Sequence, residues 1–141
     1  MRASLLALPL LLVPAAPASA STGSLDLTVT GLRNANGTVV ACLFRDGTGF
    51  PNCANSKTAI TQRVKAAAGT VRIRFNGVAP GRYAVGVHHD EDANGRVKTN
   101  LIGMPSEGVG TSGAGGGMPN YNRSLIDVRP GSATTVSVRY L

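Results

Sequence analysis

Acidic and aromatic residues are scarce in this sequence. The chain carries 7 acidic against 14 basic side chains, it has no tryptophan, and aromatic residues make up 4% of it. Proteins that bind nucleic acid by stacking its bases need aromatic side chains among their basic ones, so the composition argues against a nucleic-acid-binding protein. The positive balance favours a partner with negative charge, such as an anionic polymer or membrane phosphates, or it only keeps the surface solvated.

Long apolar runs are missing after residue 20, so no segment there has the length of a transmembrane helix. The first 20 residues differ from the rest. They combine Arg2, an apolar run from Leu5 to Val13 and the small residues Ala18-Ser19-Ala20, which is the order found in a secretory signal peptide. We therefore expect residues 1–20 to be a signal peptide and residues 21–141 to form one exported domain, periplasmic or extracellular.

Cysteine is limited to Cys42 and Cys53. An even cysteine count in an exported chain favours a disulfide, because the compartment outside the cytoplasm is oxidising. The spacing of the two residues matches no redox or zinc motif. The sequence therefore predicts a structural Cys42–Cys53 disulfide that ties the loop after the second strand back to that strand.

Sustained helical periodicity is also missing. Short segments of alternating apolar and polar residues, such as Leu25–Thr30, are separated by turn residues, which is typical of strands. About seven such segments predict an all-β fold, a single antiparallel β-sandwich. Within it we expect Thr58–Lys65 and Thr70–Asn76 to form a hairpin, and the glycine-rich segment Gly103–Tyr121 to be a long loop.

The predicted hairpin concentrates positive charge. Its outer face would carry four basic residues, which are Arg63, Lys65, Arg72 and Arg74. Such a basic patch is suited to an anionic polymer of the cell envelope, and it is equally typical of a solvated sheet face. No aromatic residues lie between the four, which again argues against nucleic acid.

The stretch Tyr83–Gly95 gathers most of the residues that can carry chemistry. Both histidines and three of the 7 acidic residues lie in it. A predicted core strand leads into His88 and His89 and then into the acidic loop Asp90-x-Asp92-x-Asn94-Gly95. By strand alternation His89 should continue the core face and bond to nearby backbone, whereas His88 should point with Asp90.

The acidic loop has the spacing of the first half of a calcium loop, in which glycine permits a sharp turn. The ligands would be the side chains of Asp90, Asp92 and Asn94 and the backbone carbonyl of Arg96. The second half is defective, because Lys98 and Leu101 stand where further oxygen ligands are expected. The alternative is an Asx-type turn whose side chains cap their own backbone.

Catalysis has weaker support. A hydrolase would use His89 with Asp90 and Glu107, but no serine lies in a Gly-x-Ser-x-Gly elbow that would expose a nucleophile. Gly108-x-Gly110-x-x-Gly113 matches the dinucleotide fingerprint only formally, because no helix is expected to follow it. We therefore assign no catalytic residue, and Ca²⁺ is the one cofactor that the sequence suggests.

Motifs spread over most of the chain after the leader resemble those of a known family. They are Phe75-x-Gly77-Val78-x-Pro80-Gly81-x-Tyr83, His89-Asp90-Glu91, Asn94-Gly95, Thr99-Asn100 and Pro105-x-Glu107-Gly108. The family is DUF2141, exported bacterial proteins of unknown function. The resemblance implies a transthyretin-like, or prealbumin-like, β-sandwich, an architecture similar to that of immunoglobulin-like domains. The resemblance implies that His89, Asp90, Pro105 and Glu107 occupy positions that recur in the family. At position 98, where relatives commonly have an acidic residue, this chain has Lys98.

These observations place the candidate functional surface at one end of the sandwich. Its residues are His89, Asp90, Asp92, Asn94, Gly95, Pro105 and Glu107. We expect a non-catalytic binding or interaction module of the envelope, with an anionic envelope polymer or another envelope protein as its partner. A Ca²⁺-binding sandwich and a hydrolase are the alternatives.

Overall fold

The structure is a computed structural model, and it describes residues 9, 11–17, 22–113 and 118–141. Its strands are β1 (Gly23–Leu32), β2 (Thr38–Phe44), β3 (Ile60–Lys65), β4 (Gly69–Val78), β5 (Gly81–Asp90), β6 (Gly108–Thr111), β7 (Leu125–Val128) and β8 (Ser132–Ser137). The predicted signal peptide, residues 1–20, lies for its greater part outside the described residues. Among those described, no helix has the length and apolar character needed to cross a membrane.

Within the described residues, eight strands form two sheets. The three-stranded sheet has the order β4-β1-β8, and the larger sheet has the order β3-β2-β5-β6, with β7 also paired to β5. All pairs are antiparallel except β1 with β8, which run parallel. The predicted all-β sandwich is confirmed, with one strand more than expected and one parallel pair.

The core between the sheets follows from the alternation of apolar residues along the strands. Successive side chains of a strand point to opposite faces, so every second residue meets the facing sheet. Each large apolar side chain that leaves water contributes about 1.5–3 kcal/mol to folding. The buried inward-facing residues are Leu25, Leu27 and Val29 of β1, Val39, Ala41 and Leu43 of β2, Val71, Ile73 and Phe75 of β4, and Tyr83, Val85 and Val87 of β5.

A smaller core lies on the outer face of β2 and β5. The loop between β2 and β3 packs on this face and buries Cys42, Phe44 and Ala84. A Cβ atom on Gly86 would lie 2.5 Å from the carbonyl oxygen of Pro51, so only glycine lets the loop come this close. The predicted disulfide between Cys42 and Cys53 is confirmed, and it fixes the same loop to β2.

The predicted hairpin of Thr58–Lys65 with Thr70–Asn76 is wrong. β3 pairs with β2 in the larger sheet, whereas β4 pairs with β1 in the smaller one. The chain crosses between the sheets through Ala66, which is 4% exposed and donates its N–H to the carbonyl of Gly37. Two alternating strands around a short turn look the same in sequence whether they pair or cross over, so the sequence pattern alone could not exclude the hairpin.

This crossover divides the predicted basic patch. Arg63 and Lys65 are exposed on β3, and Arg72 and Arg74 are exposed on β4 of the other sheet, so the four side chains do not share one sheet face. Arg74 also pairs with Asp26, with its Nε 3.6 Å from a carboxylate oxygen. An exposed pair of this kind adds little stability.

The glycine-rich segment predicted as one long loop contains β6. Its glycines are needed because the end of the chain lies against it: a Cβ on Gly108 would be 2.3 Å from Val138, and one on Gly110 would be 2.5 Å from the carbonyl oxygen of Ser137. The formal dinucleotide fingerprint therefore begins in a strand. Residues 114–117 of the same segment lie outside the described residues.

Candidate functional site

The candidate site lies where β5 ends. Strand alternation sends His89 into the core between the sheets, and it sends His88 and Asp90 to the outer face of the larger sheet. On that face the chain from Glu91 to Glu107 folds back over them. His88 and Asp90 are therefore 7% and 1% exposed, although they lie outside the main core.

His89 has a structural role, as predicted. It is fully buried, its Nε2 lies 2.7 Å from the carbonyl oxygen of Asn36, and its Nδ1 lies 2.6 Å from the hydroxyl of Tyr140. A carbonyl oxygen only accepts, so Nε2–H donates to Asn36. In the neutral ring Nδ1 is then an acceptor, and the hydroxyl of Tyr140 donates to it. The same hydroxyl accepts the N–H of Arg33 at 3.1 Å. Burial raises the pKa of the Tyr140 hydroxyl, which is consistent with its role as a donor.

The hydrolase arrangement of His89 with Asp90 and Glu107 is not assembled in the structure. Both ring nitrogens of His89 are occupied by Asn36 and Tyr140, and the ring lies on the opposite face of β5 from Asp90. Glu107 instead contacts the neighbouring histidine.

Glu107 organises the outer cluster. Its Oε2 lies 2.8 Å from Nε2 of His88 and accepts the N–H of Lys98 at 3.0 Å, while its Oε1 accepts the N–H of Glu91 at 3.1 Å. The side chain is only 3% exposed. Glu107 thus joins the end of β5 to both of the loops that follow it. Together with Asp90 these residues form the buried cluster His88–Asp90–Glu107.

The acidic loop is an Asx-type turn, which was the alternative to a calcium loop. Asp90 accepts the N–H groups of Asn94 and Gly95 at 3.1 and 2.7 Å, Asp92 accepts the N–H of Asn94 at 3.2 Å, and Asn94 accepts the N–H of Arg96 at 2.8 Å. These bonds satisfy the backbone of a loop in which Ala93 and Gly95 have φ of 55° and 79°. The side chains assigned to Ca²⁺ therefore order the turn, and the calcium ligand set stays a prediction.

An ion pair that the sequence did not suggest holds the loop from the other side. The guanidinium of Arg33 donates to both carboxylate oxygens of Glu91, and the amide of Asn34 donates to Oε2 at 2.8 Å. The hydrogen bond from Arg33 holds the pKa of Glu91 below its usual value. Arg33 also lies over the ring of Tyr140, with its Cζ atom 4.3 Å from the ring centre. Because 58 residues separate Arg33 from Glu91, no local pattern could have indicated the pair.

Residues 98–106 form a tight turn that we call the 98–106 hairpin. Thr99 and Pro105 are bridged, Asn100 and Met104 share a backbone hydrogen bond of 2.8 Å, and the Asn100 side chain accepts the N–H of Ile102 at 3.1 Å.

The tip of this hairpin is apolar and exposed. Leu101 and Ile102 have relative exposures of 106% and 83%, and Met104 is 42% exposed. The base of the hairpin borders an open depression shared with the acidic loop. The depression is lined by Arg33, Glu91, Asp92, Lys98, Ser106 and Glu107. Of the predicted site residues, Asp90 and Glu107 meet in the buried cluster, Pro105 lies in the hairpin, and His89 stands apart in the core.

The architecture defines the class of protein: a two-sheet β-sandwich that carries a buried histidine–carboxylate cluster under the loops at one end. Comparison of the sequence with family models gives the family. The model described as "Uncharacterized protein conserved in bacteria (DUF2141)" matches residues 27–137, so the chain belongs to the DUF2141 family. No curated protein and no solved structure matches the chain. The resemblance drawn from the His-Asp-Glu and Pro-x-Glu-Gly motifs is thereby confirmed.

Proposed function

We propose that this chain is an exported, non-catalytic module that attaches reversibly to an anionic lipid surface of the envelope through the 98–106 hairpin. The observation that carries the proposal is the exposure of Leu101 and Ile102, 106% and 83%, at the tip of a hydrogen-bonded turn. Single exposed apolar residues are common on protein surfaces, but two adjacent ones held outward with Met104 beside them form a compact apolar tip.

The charges around the tip fit a membrane interface. Arg96 is exposed just before the hairpin, Lys98 is exposed at its first position, and residues 98–106 contain no acidic side chain. A basic residue close to an anionic membrane contributes about 1 kcal/mol of attraction. An apolar tip that enters the boundary between headgroups and acyl chains, with cations at the level of the phosphates, gives weak and reversible attachment.

A protein partner fits this surface less well. A stable protein interface buries roughly 800 Å² on each side, and a turn of this length presents less than that. The Cys42–Cys53 disulfide supports export, because disulfides persist in oxidising compartments. The occupied ring nitrogens of His89 support a non-catalytic role.

Vesicle sedimentation tests the proposal. The chain is expressed with its own N-terminal segment, and mass spectrometry of the recovered protein also tests the predicted cleavage after Ala20. We expect binding to vesicles of phosphatidylglycerol and phosphatidylcholine, weaker binding to phosphatidylcholine alone, and loss of binding as salt screens the charges. The double variant Leu101→Ser with Ile102→Ser should lower the partition coefficient at least about tenfold, because it removes most of the inserted apolar surface.

Leu141→Ser is the matched control, because Leu141 is 70% exposed but lies outside the hairpin. Equal vesicle binding by the double variant and the wild type would overturn the proposal. Absence of vesicle binding would also overturn it, whether the chain is retained on an anionic polysaccharide resin or cross-links to an envelope protein instead.

A further inference from the structure

The geometry points to a second site, and we propose that His88, Asp90 and Glu107 bind a divalent transition-metal ion of the zinc type. Each residue offers one ligand atom, and the three atoms all lie within 4.8 Å of one another. All three side chains are buried, with exposures of 7%, 1% and 3%. The site does not depend on the proposed membrane attachment, and it differs from the Ca²⁺ ligand set expected from the sequence.

The donor set selects the class of ion. Ca²⁺ and Mg²⁺ take oxygen ligands, whereas an imidazole with two carboxylates suits Zn²⁺ and its neighbours. Three protein ligands also leave a fourth position open for water or another molecule. The depression at the base of the hairpin is lined by one of the three ligands, Glu107, so it lies next to the cluster.

The distances need only a small adjustment. Ligand atoms about 2.0–2.1 Å from a tetrahedral Zn²⁺ lie about 3.3 Å from one another. Nε2 of His88 and Oε2 of Glu107 are already 2.8 Å apart. The other ligand atoms of the cluster lie within 4.8 Å of one another, so metal binding would shorten the widest of these distances by at most about 1.5 Å. The ion would replace the proton that the two atoms share.

The backbone around the cluster already orients the two carboxylates. Asp90 accepts N–H groups from Asn94 and Gly95, and Glu107 accepts them from Glu91 and Lys98. An ionised carboxylate has about four lone-pair sites, so each of the two can keep its backbone bonds and still bind a cation. Such outer hydrogen bonds are what fixes ligand orientation in metal sites.

Zinc titration of the metal-free, tag-free protein tests this proposal by calorimetry and thermal unfolding. We expect one Zn²⁺ per chain and a rise in melting temperature, because a ligand of the native state stabilises it. Ca²⁺ at the same concentration should give no comparable rise. His88→Gln should weaken Zn²⁺ binding at least about tenfold, since it removes the imidazole ligand. Asp92→Asn is the matched control, because it alters the acidic loop but not the cluster, and Zn²⁺ affinity should stay unchanged.

A measurement on the wild type keeps the test valid if the His88 variant fails to fold. The chain has 2 histidines, so imidazole NMR signals can be assigned to two rings. Zn²⁺ should shift the signals of His88 and leave those of His89 in place. The proposal is overturned if Zn²⁺ changes neither the melting temperature nor the His88 signals. Equal weakening by Asp92→Asn and His88→Gln would overturn it as well. Vesicle binding is measured separately, so either proposal can fail alone.

Discussion

His88 and Glu107 meet at 2.8 Å beneath the loops at one end of the sandwich, although 19 residues separate them in sequence. The same carboxylate accepts the backbone N–H groups of Glu91 and Lys98. One side chain therefore holds the end of β5, the acidic loop and the base of the 98–106 hairpin together.

Glu107→Ala should lower the free energy of unfolding by about 2–4 kcal/mol, because it leaves a buried imidazole and two backbone N–H groups without their acceptor. Urea denaturation monitored by circular dichroism measures the loss. Asp127→Asn is the control, since Asp127 is paired with Arg82 in an ion pair whose side chains are both 65% exposed, and its effect should stay below about 0.5 kcal/mol. Similar losses in the two variants would contradict the central role of Glu107.

The Arg33–Glu91 pair predicts a specific pH dependence of stability. The hydrogen bond from Arg33 lowers the pKa of Glu91 in the folded chain below its ordinary value of 4.5. A carboxyl with a depressed folded pKa contributes stability above its unfolded pKa and loses it as pH falls through the folded value. Between pH 5 and pH 3 the wild type should therefore lose more stability than Glu91→Gln. The free energy of unfolding of both proteins is measured by urea titration at each pH. If it falls by the same amount in the two proteins as pH drops, this contribution is ruled out.

Gly86→Ala should destabilise the chain by about 1–3 kcal/mol through overpacking. The added Cβ would lie 2.5 Å from the carbonyl oxygen of Pro51, so the loop between β2 and β3 must move away from the sheet. Gly81→Ala is the matched control in the same strand, because the nearest atom to its added Cβ is 3.7 Å away. Thermal unfolding of the two variants gives the comparison, and a destabilisation that is no larger at Gly86 than at Gly81 would contradict the close contact.

Loss of the Cys42–Cys53 disulfide should cost about 3 kcal/mol in the chain-entropy model, because the closed loop is short. The double variant Cys42→Ala with Cys53→Ala is compared with the wild type by urea denaturation under oxidising conditions. Under a reducing agent the difference should shrink, since the wild type then loses the same constraint. A difference that stays constant on reduction would assign the effect to packing of Cys42 in the small core.

The sequence was sufficient for features that depend on neighbouring residues. Alternation correctly gave the buried face of Leu25–Thr30 and the inward direction of His89, and the cysteine count gave the disulfide. β6 was missed because its signal, the close approach of residues 136–140 to Gly108 and Gly110, exists only in three dimensions. The contacts of His88 with Glu107 and of Arg33 with Glu91 were missed for the same reason, since a residue pattern carries no information on which distant loops meet.

The parallel pairing of β1 with β8 joins the first and the last strand of the fold. Thr30 and Ser137 bond through their side chains at 2.9 Å across a separation of 107 residues. Closing so large a loop costs chain entropy before its contacts are gained, which makes such pairings slow to form. The partners in the β1–β4 and β2–β5 pairs are closer in sequence than those of β1 and β8, so the smaller sheet lacks its last strand until Ser132–Ser137 pairs with β1. We therefore expect the three-stranded sheet to be completed only after the whole chain is present.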